Sequence, residues 1–230
     1  MRIAVIGASG FIGSRVTSEL IARGHEVIAV SPTFGVDAVT GQGLRQSLED
    51  VEAIVDVSNA GAFGDVNALH FFRAAGRNLV AAAVEAGVQR HIVLSVVGTD
   101  RLVENDYFRA KLVQENIARA SPLSITVVRS TQFFEFLQSV TVMNPIDDDL
   151  LLPSTLIRPI AADDVVHFLI RSVEEGTGDS FVEIAGPEIW QLDDLGRMLL
   201  AADEDPRRIV SDPESRYFGV PIAHDSMLAC

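Results

Sequence analysis

The sequence is poor in cysteine and in positive charge. Cys230 is the only cysteine among 230 residues, so neither an intrachain disulfide nor a cluster of thiolate metal ligands can form. Eighteen lysine and arginine residues stand against 32 aspartate and glutamate residues, which gives a formal net charge of −14. Because such a chain repels the phosphates of nucleic acids, we expect no nucleic-acid partner.

Long apolar runs are also missing. No segment approaches the roughly 20 apolar residues of a membrane-spanning helix, and the first seven residues lead into a structural motif rather than a cleavable signal. We therefore expect a cytoplasmic protein with no membrane partner. The five histidines show no paired ligand spacing, so no metal is expected.

What the sequence does contain is an alternation of short apolar runs and helical segments. The runs are apolar throughout rather than at every second residue, which is typical of parallel strands covered on both faces. The sequence therefore predicts an α/β fold, a doubly wound parallel sheet of the Rossmann type with a small C-terminal substrate lobe. We expect one domain over residues 1–230, with residues 141–230 contributing most of that lobe. The main predicted strands cover residues 2–6, 26–30, 53–57, 91–95, 124–129 and 181–185.

Glycine recurs at every third position directly after the first predicted strand, at Gly7, Gly10 and Gly13. Side chains there would block the approach of a pyrophosphate to the N-terminus of the following helix, where free N–H groups and the helix dipole attract anions. The alternative is a tight turn that holds no nucleotide. With the polar residues at the ends of the next strands, the predicted dinucleotide-binding set is Gly7, Ser9, Gly10, Phe11, Ile12, Gly13, Ser31, Ser58, Asn59 and Ala60.

Tyr107 and Lys111 lie four residues apart in a predicted helix over residues 106–120, so they share one face. An ammonium beside a phenol lowers the phenol pKa and suits it to exchange a proton with a carbonyl oxygen. Lys111 is also the only lysine, while seventeen arginines carry all the other side-chain positive charge. We predict that the two residues act as a pair; the alternative is a solvated lysine on a helix face.

Ser95 closes the fourth predicted strand, and open α/β sheets bind ligands at the carboxyl ends of their strands. Its hydroxyl is predicted to orient the substrate oxygen beside Tyr107, with Thr99 as the second candidate. The alternative is a serine that caps the backbone at the strand end.

These motifs together resemble the short-chain dehydrogenase/reductase superfamily, and more narrowly its atypical, NmrA-like NAD(P)-binding branch. Four further stretches carry the narrower resemblance: LSVVG at 94–98, VRSTQFF at 128–134, PIAADDV at 159–165 and AGPE at 185–188. The resemblance implies that Tyr107 is the proton donor, that Lys111 binds the nicotinamide ribose and that Ser95 is the catalytic serine. Many relatives carry a relay asparagine on the helix before the serine strand. This sequence has Phe71 and Phe72 there, so the catalytic set reduces to Ser95, Tyr107 and Lys111.

The cofactor preference depends on the end of the second strand. Residues 31–33, Ser-Pro-Thr, include neither an acid that would repel a 2′-phosphate nor an arginine that would bind one. With hydroxyl donors there, and with Arg15 one turn into the first helix, we expect NADP(H) to be favoured over NAD(H).

Aromatic residues follow several strand ends, where a substrate pocket is expected to open. Phe63, Phe133 and Phe134, together with Thr99, form the predicted substrate-binding set, although aromatic residues at such spacing also pack in cores. An apolar carbonyl compound or a quinone is the expected substrate class.

The sequence thus predicts an NAD(P)-dependent oxidoreductase that acts on a small molecule. Two alternatives remain open: an NmrA-like regulator that senses the dinucleotide without turnover, and a cyclase, dehydratase or isomerase on the same fold. A homodimer is plausible because related folds pair through long helices.

Overall fold

A computed structural model describes residues 1–60, 67–142, 144–176, 180–214, 216–217 and 219–229. The strands are β1 (Arg2–Ile6), β2 (Glu26–Val30), β3 (Ala53–Asp56), β4 (Arg90–Val96), β5 (Ser124–Ser130), β6 (Pro145–Ile146), β7 (Asp149–Leu152), β8 (Leu156–Ile157), β9 (Phe181–Ile184), β10 (Trp190–Gln191), β11 (Ile209–Ser211), β12 (Arg216–Tyr217) and β13 (Val220–Pro221). The helices are α1 (Phe11–Ala22), α2 (Leu44–Ser47), α3 (Ala68–Ala86), α4 (Asp106–Arg119), α5 (Ala162–Glu174) and α6 (Leu192–Ala202), with 3₁₀ segments at Pro32–Phe34 and Phe134–Val142.

The central sheet has six strands in the order β2-β1-β3-β4-β5-β9, and all neighbouring pairs run parallel. Alternate residues of β1 enter two different cores. Ile3 and Val5 pack in a core that includes α1 and α5, whereas Ala4 and Ile6 pack in one that includes α2 and α3. Helices therefore cover both faces of the sheet, and the predicted doubly wound fold is confirmed.

A second, smaller layer lies beyond the sheet. It consists of the three-stranded sheet β11-β7-β6, the pairs β8–β10 and β12–β13, and helix α6, whose Leu192 and Leu195 pack with Leu150 and Leu152 of β7. Only part of the segment after residue 141 belongs to this layer, because α5 and β9 join the central fold. Within the described ranges, no helix combines the length and apolar character needed to cross a bilayer.

The sequence also predicts a helix over residues 133–140 and an irregular tail after residue 205. The structure has a 3₁₀ segment over Phe134–Val142 instead of that helix, and the tail contains β11, β12 and β13. Strands of two or three residues are too short to produce a recognisable alternation in the sequence.

The turn between β1 and α1 brings two glycines into backbone contact. Gly7 has a positive φ of 83°, and a Cβ on Gly13 would lie 2.1 Å from the carbonyl oxygen of Gly7. Since both partners in that contact are backbone, neither can rotate away. The Gly13 position therefore sets how closely α1 approaches the end of β1.

We expect Gly13→Ala to lower the free energy of unfolding by about 2 kcal/mol or more, because the added methyl group overpacks a backbone contact. Urea unfolding checks this value. Gly76→Ala in α3 is the matched control: its Cβ would meet only the Ile117 side chain, at 3.4 Å, and alanine is the better helix former. Equal stability of Gly13→Ala and the wild-type protein would contradict the account of this turn.

Candidate active site

A cavity of about 440 Å³ opens at the carboxyl ends of the central strands and reaches from the glycine turn to the smaller layer. It brings together most of the residues predicted from the sequence. The predicted cofactor-binding and catalytic residues that line it are Gly7, Ser9, Gly10, Phe11, Ile12, Ser31, Ser58, Asn59, Ser95, Tyr107 and Lys111.

The end of the cavity beside α1 fits a dinucleotide. Gly10 is the N-cap of α1, and no side chain caps the first turn, so N–H groups of that turn are available to a diphosphate. The hydroxyl of Ser31 is buried without a hydrogen-bond partner and lies in the cavity wall. A buried polar group of this kind is stabilised when a ligand bonds to it.

Two of the predicted cofactor residues do not line the cavity. Gly13 supports the turn from below through its contact with Gly7, and Ala60 packs against the small core that contains Phe72. That both residues contact the nucleotide directly stays a prediction. Their positions outside the cavity wall do not favour it.

Tyr107 is placed by the start of α4. The Asn105 side chain caps this helix by accepting hydrogen bonds from the backbone N–H groups of Tyr107 and Phe108, at 2.8 and 3.3 Å. The Tyr107 hydroxyl donates to Oδ1 of Asn59 over 3.2 Å, and the ring meets Phe72 edge to face at 6.3 Å between centroids. The phenol therefore stands between the loop after β3 and the cavity.

Burial raises the pKa of Tyr107 to about 12. This direction is opposite to the one predicted from the neighbouring lysine, because desolvation disfavours the charged phenolate. The phenol consequently stays protonated at neutral pH, which is the form that donates a proton.

Lys111 is buried, with 4% of its surface exposed, which excludes the alternative of a solvated helix-face lysine. Its Nζ donates to the carbonyl oxygen of Leu94 over 2.7 Å and to Oε1 of Gln114 over 2.6 Å, and it lies 4.7 Å from the centroid of the Phe72 ring. Burial lowers the pKa of Lys111 to about 8, although the carboxylates of Asp56 and Glu115 act in the opposite direction.

Ser95 differs from its predicted role. Its hydroxyl donates to Oε1 of Glu115 over 2.6 Å, and Glu115 is completely buried in a two-pronged pair with Arg129 at 2.9 Å for each bond. A hydroxyl has one proton to donate, so in this arrangement Ser95 supports a buried ion pair rather than a substrate oxygen.

The predicted substrate residues differ in whether they line the cavity. Phe133 lines the cavity. Thr99 is fully buried outside the lining and donates to the carbonyl oxygen of Val96, while Phe134 is 44% exposed and also lies outside it. Phe63 falls outside the described residues.

Phe136, which like Phe133 follows a predicted strand end, and Tyr217, for which the sequence offers a lid or a subunit contact, also line the cavity. Sequence reasoning missed Asp37, which lines the cavity as well, and Gln114. Gln114 lies behind Lys111, and its spacing of three residues from that lysine on a helix was a usable signal. No such signal in the sequence pointed to Asp37, because it lies in an irregular loop. Among the described residues, no three histidine, cysteine, aspartate or glutamate side chains converge as metal ligands would.

The six-stranded parallel sheet, the glycine turn, the half-buried tyrosine and the buried lysine define a dinucleotide-binding protein of the short-chain dehydrogenase/reductase architecture. A family model described as NAD(P)H-binding matches residues 7–175. The chain belongs to this NAD(P)H-binding family, and its resemblance to the atypical, NmrA-like branch is confirmed.

Curated relatives are distant and longer. The chain is 22% identical over 208 residues to the photosystem II assembly factor Ycf39 of Synechocystis sp., which covers 83% of this chain and 64% of that protein. It is 27% identical over 219 residues to the chloroplastic divinyl chlorophyllide a 8-vinyl-reductase of Oryza sativa subsp. indica, covering 80% of this chain and 54% of that protein. The chain thus spans between half and two thirds of the length of these two relatives.

Solved structures share the fold. UDP-glucose 4-epimerase of Thermotoga maritima superposes with a TM-score of 0.75 at 19% identity, over 100% of this chain and 90% of that chain. The dTDP-4-dehydrorhamnose reductase of Bacillus anthracis str. Ames, solved in complex with NADP, gives a TM-score of 0.76 at 12% identity, over 98% of this chain and 88% of that chain.

The pKa of Lys111 predicts how stability depends on pH. In the folded protein it is about 8, against an ordinary value of 10.5, so between these values the unfolded chain binds the additional proton and stability rises with pH. Between about pH 7.5 and about pH 9.5, the free energy of unfolding of the wild-type protein should rise by about 2 kcal/mol relative to Lys111→Met. Urea unfolding of both proteins at the two pH values measures this difference. Parallel pH dependence of the two proteins would contradict the burial of a titrating amine.

Proposed function

We propose that this protein is an NAD(P)H-dependent reductase that transfers hydride between nicotinamide and a small apolar carbonyl or quinone substrate. The observation that carries the proposal is that Tyr107 and Lys111, on one face of α4, line the same cavity as the glycine turn. Dinucleotide site and proton donor thus belong to one continuous space.

The chain's own groups suit the proton half of such a reaction. A bound nicotinamide would supply the hydride. Tyr107, a phenol that is protonated at neutral pH and whose pKa burial raises further, to about 12, would donate its proton to the substrate oxygen as the carbon accepts hydride. Lys111 has a donor to offer a ribose hydroxyl, as expected from the family resemblance. Ser95, predicted to orient the substrate oxygen, has its proton directed to Glu115, so we assign the proton transfer to Tyr107 alone.

The apolar part of the cavity wall supports an apolar substrate. The lining includes Phe133, Phe136, Leu137, Val140 and Tyr217, and the ring of Phe136 lies 4.9 Å from that of Phe11 at the start of α1. Among the described lining residues, Asp37 and Lys111 are the ones that carry charge, which leaves no arginine to bind the diphosphate of a sugar nucleotide. The substrate class proposed here therefore differs from those named for the epimerase and the dehydrorhamnose reductase that share the fold.

Two relatives bear on the choice between turnover and binding alone. The rice protein is named a reductase, in agreement with the proposal, whereas Ycf39 is named an assembly factor. A decisive test must therefore separate dinucleotide binding from chemistry.

Tyr107→Phe removes the proton donor and keeps the ring. In assays of NADH or NADPH oxidation with a panel of aldehydes, ketones and quinones, we expect kcat to fall by about 10²- to 10⁴-fold, because the proton donor is absent. The Kd for the dinucleotide should stay within about threefold of wild type, because the loss of one hydrogen bond, to Asn59, has a small effect.

Tyr217→Phe makes the same change at the only other tyrosine, which also lines the cavity, and should act on KM rather than kcat. Dinucleotide binding by the wild-type protein with no oxidation by any compound would favour the sensor alternative. Full turnover by Tyr107→Phe would refute the assignment of the proton donor.

The preference for NADP(H) over NAD(H) stays a prediction, and two observations weigh against its original basis. Arg15 stacks on Phe11 at 3.9 Å, donates to its carbonyl oxygen over 3.0 Å and pairs with Asp163 at 3.4 Å, so it is already engaged. The Asp37 carboxylate lines the cavity near Ser31 and would repel a 2′-phosphate bound there.

Asp37→Asn keeps the side-chain oxygen that accepts from the backbone N–H of Val39 over 2.8 Å and removes the charge. We expect it to improve the Kd for NADPH relative to that for NADH by about tenfold, since an acid at this end of the site selects against the 2′-phosphate. Titrations that follow nicotinamide fluorescence measure both constants. Asp148→Asn, at an exposed turn, changes the net charge equally and should leave the ratio unaltered. An unaltered ratio in Asp37→Asn would remove Asp37 from cofactor selection.

A further inference from the structure

A chain of buried polar side chains connects Lys111 to Asp56. Oε1 of Gln114 accepts from the Lys111 Nζ over 2.6 Å, and Nε2 of Gln114 donates to Oδ2 of Asp56 over 2.8 Å. Gln114 and Asp56 are 3% and 2% exposed. The chain therefore links an amine on α4 to a carboxylate at the end of β3 through one amide.

The direction of the amide follows from its neighbours. An ammonium offers only donors and a carboxylate only acceptors, so the Gln114 oxygen must face Lys111 and its nitrogen must face Asp56. The opposite orientation would set donor against donor and acceptor against acceptor at two buried contacts, which is costly away from water. The other oxygen of Asp56 is occupied as well, because Oδ1 accepts from the backbone N–H of Ser58 over 3.0 Å.

These bonds orient the amine. Two of the three N–H groups of a Lys111 ammonium are directed to Leu94 and Gln114. The remaining one is left for the cavity, which Lys111 lines.

Four titratable side chains surround this amine. Asp56 faces it from β3 through Gln114, and Tyr107 shares its helix face. Glu115 lies on the same helix but is engaged by Arg129 and Ser95. His91 of β4 lies 3.9 Å from Asp56, and both its ring nitrogens lack a hydrogen-bond partner. Burial lowers the pKa of His91 and so favours its neutral form. Asp56 is thus the carboxylate that acts on Lys111 through Gln114.

We propose that Gln114 is a positioning residue which, together with Asp56, holds the Lys111 amine in one orientation and favours its charged form. This role rests on the proposed function, because it concerns the amine assigned there to the cofactor ribose. Gln114 and Asp56 themselves do not touch the reacting atoms.

The single lysine allows a direct test on the whole protein. Protein labelled with [ε-¹³C]lysine gives one lysine signal, and its chemical shift as a function of pH reports the protonation of Lys111 without cofactor or substrate. The variants are Gln114→Met, which keeps an unbranched side chain but removes both hydrogen bonds, and Asp56→Asn, which keeps the volume and removes the charge. Gln46→Met, at an exposed position of α2, is the matched control.

We expect the wild-type signal to titrate near the pKa of about 8 given for Lys111. The midpoint should fall by about 1 pH unit in Gln114→Met and in Asp56→Asn, because each variant removes support for the charged amine. Gln46→Met should titrate as the wild type. Midpoints in both site variants that equal or exceed the wild-type value would overturn the proposal. If Gln114→Met does not fold, the Asp56→Asn midpoint decides alone.

The titration also separates this proposal from the function on which it rests. A wild-type protein without turnover, in which both variants still lower the midpoint, would refute the reductase and keep the positioning role. An active enzyme with unchanged midpoints in both variants would do the reverse. Where turnover is found, the pH at which kcat/KM is half-maximal should move with the lysine midpoint in each variant.

Discussion

The burial of one amine is the constraint on which the rest of this site depends. A lysine with 4% of its surface exposed loses the hydration of its ammonium group, and this loss must be offset by acceptors and by negative charge close to it. The carbonyl oxygen of Leu94 and the amide of Gln114 supply the acceptors, and the carboxylates of Asp56 and Glu115 supply the charge. An arginine at this position would need acceptors for five N–H groups, which explains why a chain rich in arginine keeps a lysine here.

The same helix separates two electrostatic environments. On the side of β5, Glu115 forms a buried pair with Arg129 that also takes the hydroxyl of Ser95. On the side of β3, Lys111 is connected to Asp56 only through an amide. The first arrangement is fully paired and suits a structural role. The second leaves the amine with a reduced pKa and an open side toward the cavity, as expected of a functional group.

Much of the fold could be predicted because its signals are local. The bounds of β1 and β2 agree with those expected from apolar runs, and the glycine spacing located the turn before α1. The location of Tyr107 and Lys111 in one cavity wall agrees with their spacing on one helix. These features depend on residues that are neighbours in the sequence or on one helix face.

The parts that sequence reasoning missed depend on contacts between distant segments. The hydroxyl of Ser95 meets Glu115, twenty residues further along, and Gln114 meets Asp56 across 58 residues. The direction of the Tyr107 pKa shift depends on how far the phenol is desolvated, which spacing alone does not show. The very short strands β11, β12 and β13 form through tertiary pairing, with no alternation long enough to read.

A crystal structure of the protein with NADH or NADPH bound would locate the dinucleotide relative to Lys111 and Tyr107. We expect a diphosphate against the first turn of α1 at Gly10 to Ile12, a ribose hydroxyl within hydrogen-bond distance of the Lys111 Nζ and the nicotinamide beside Tyr107. A dinucleotide bound elsewhere, or one that leaves Lys111 without a contact, would contradict this expectation.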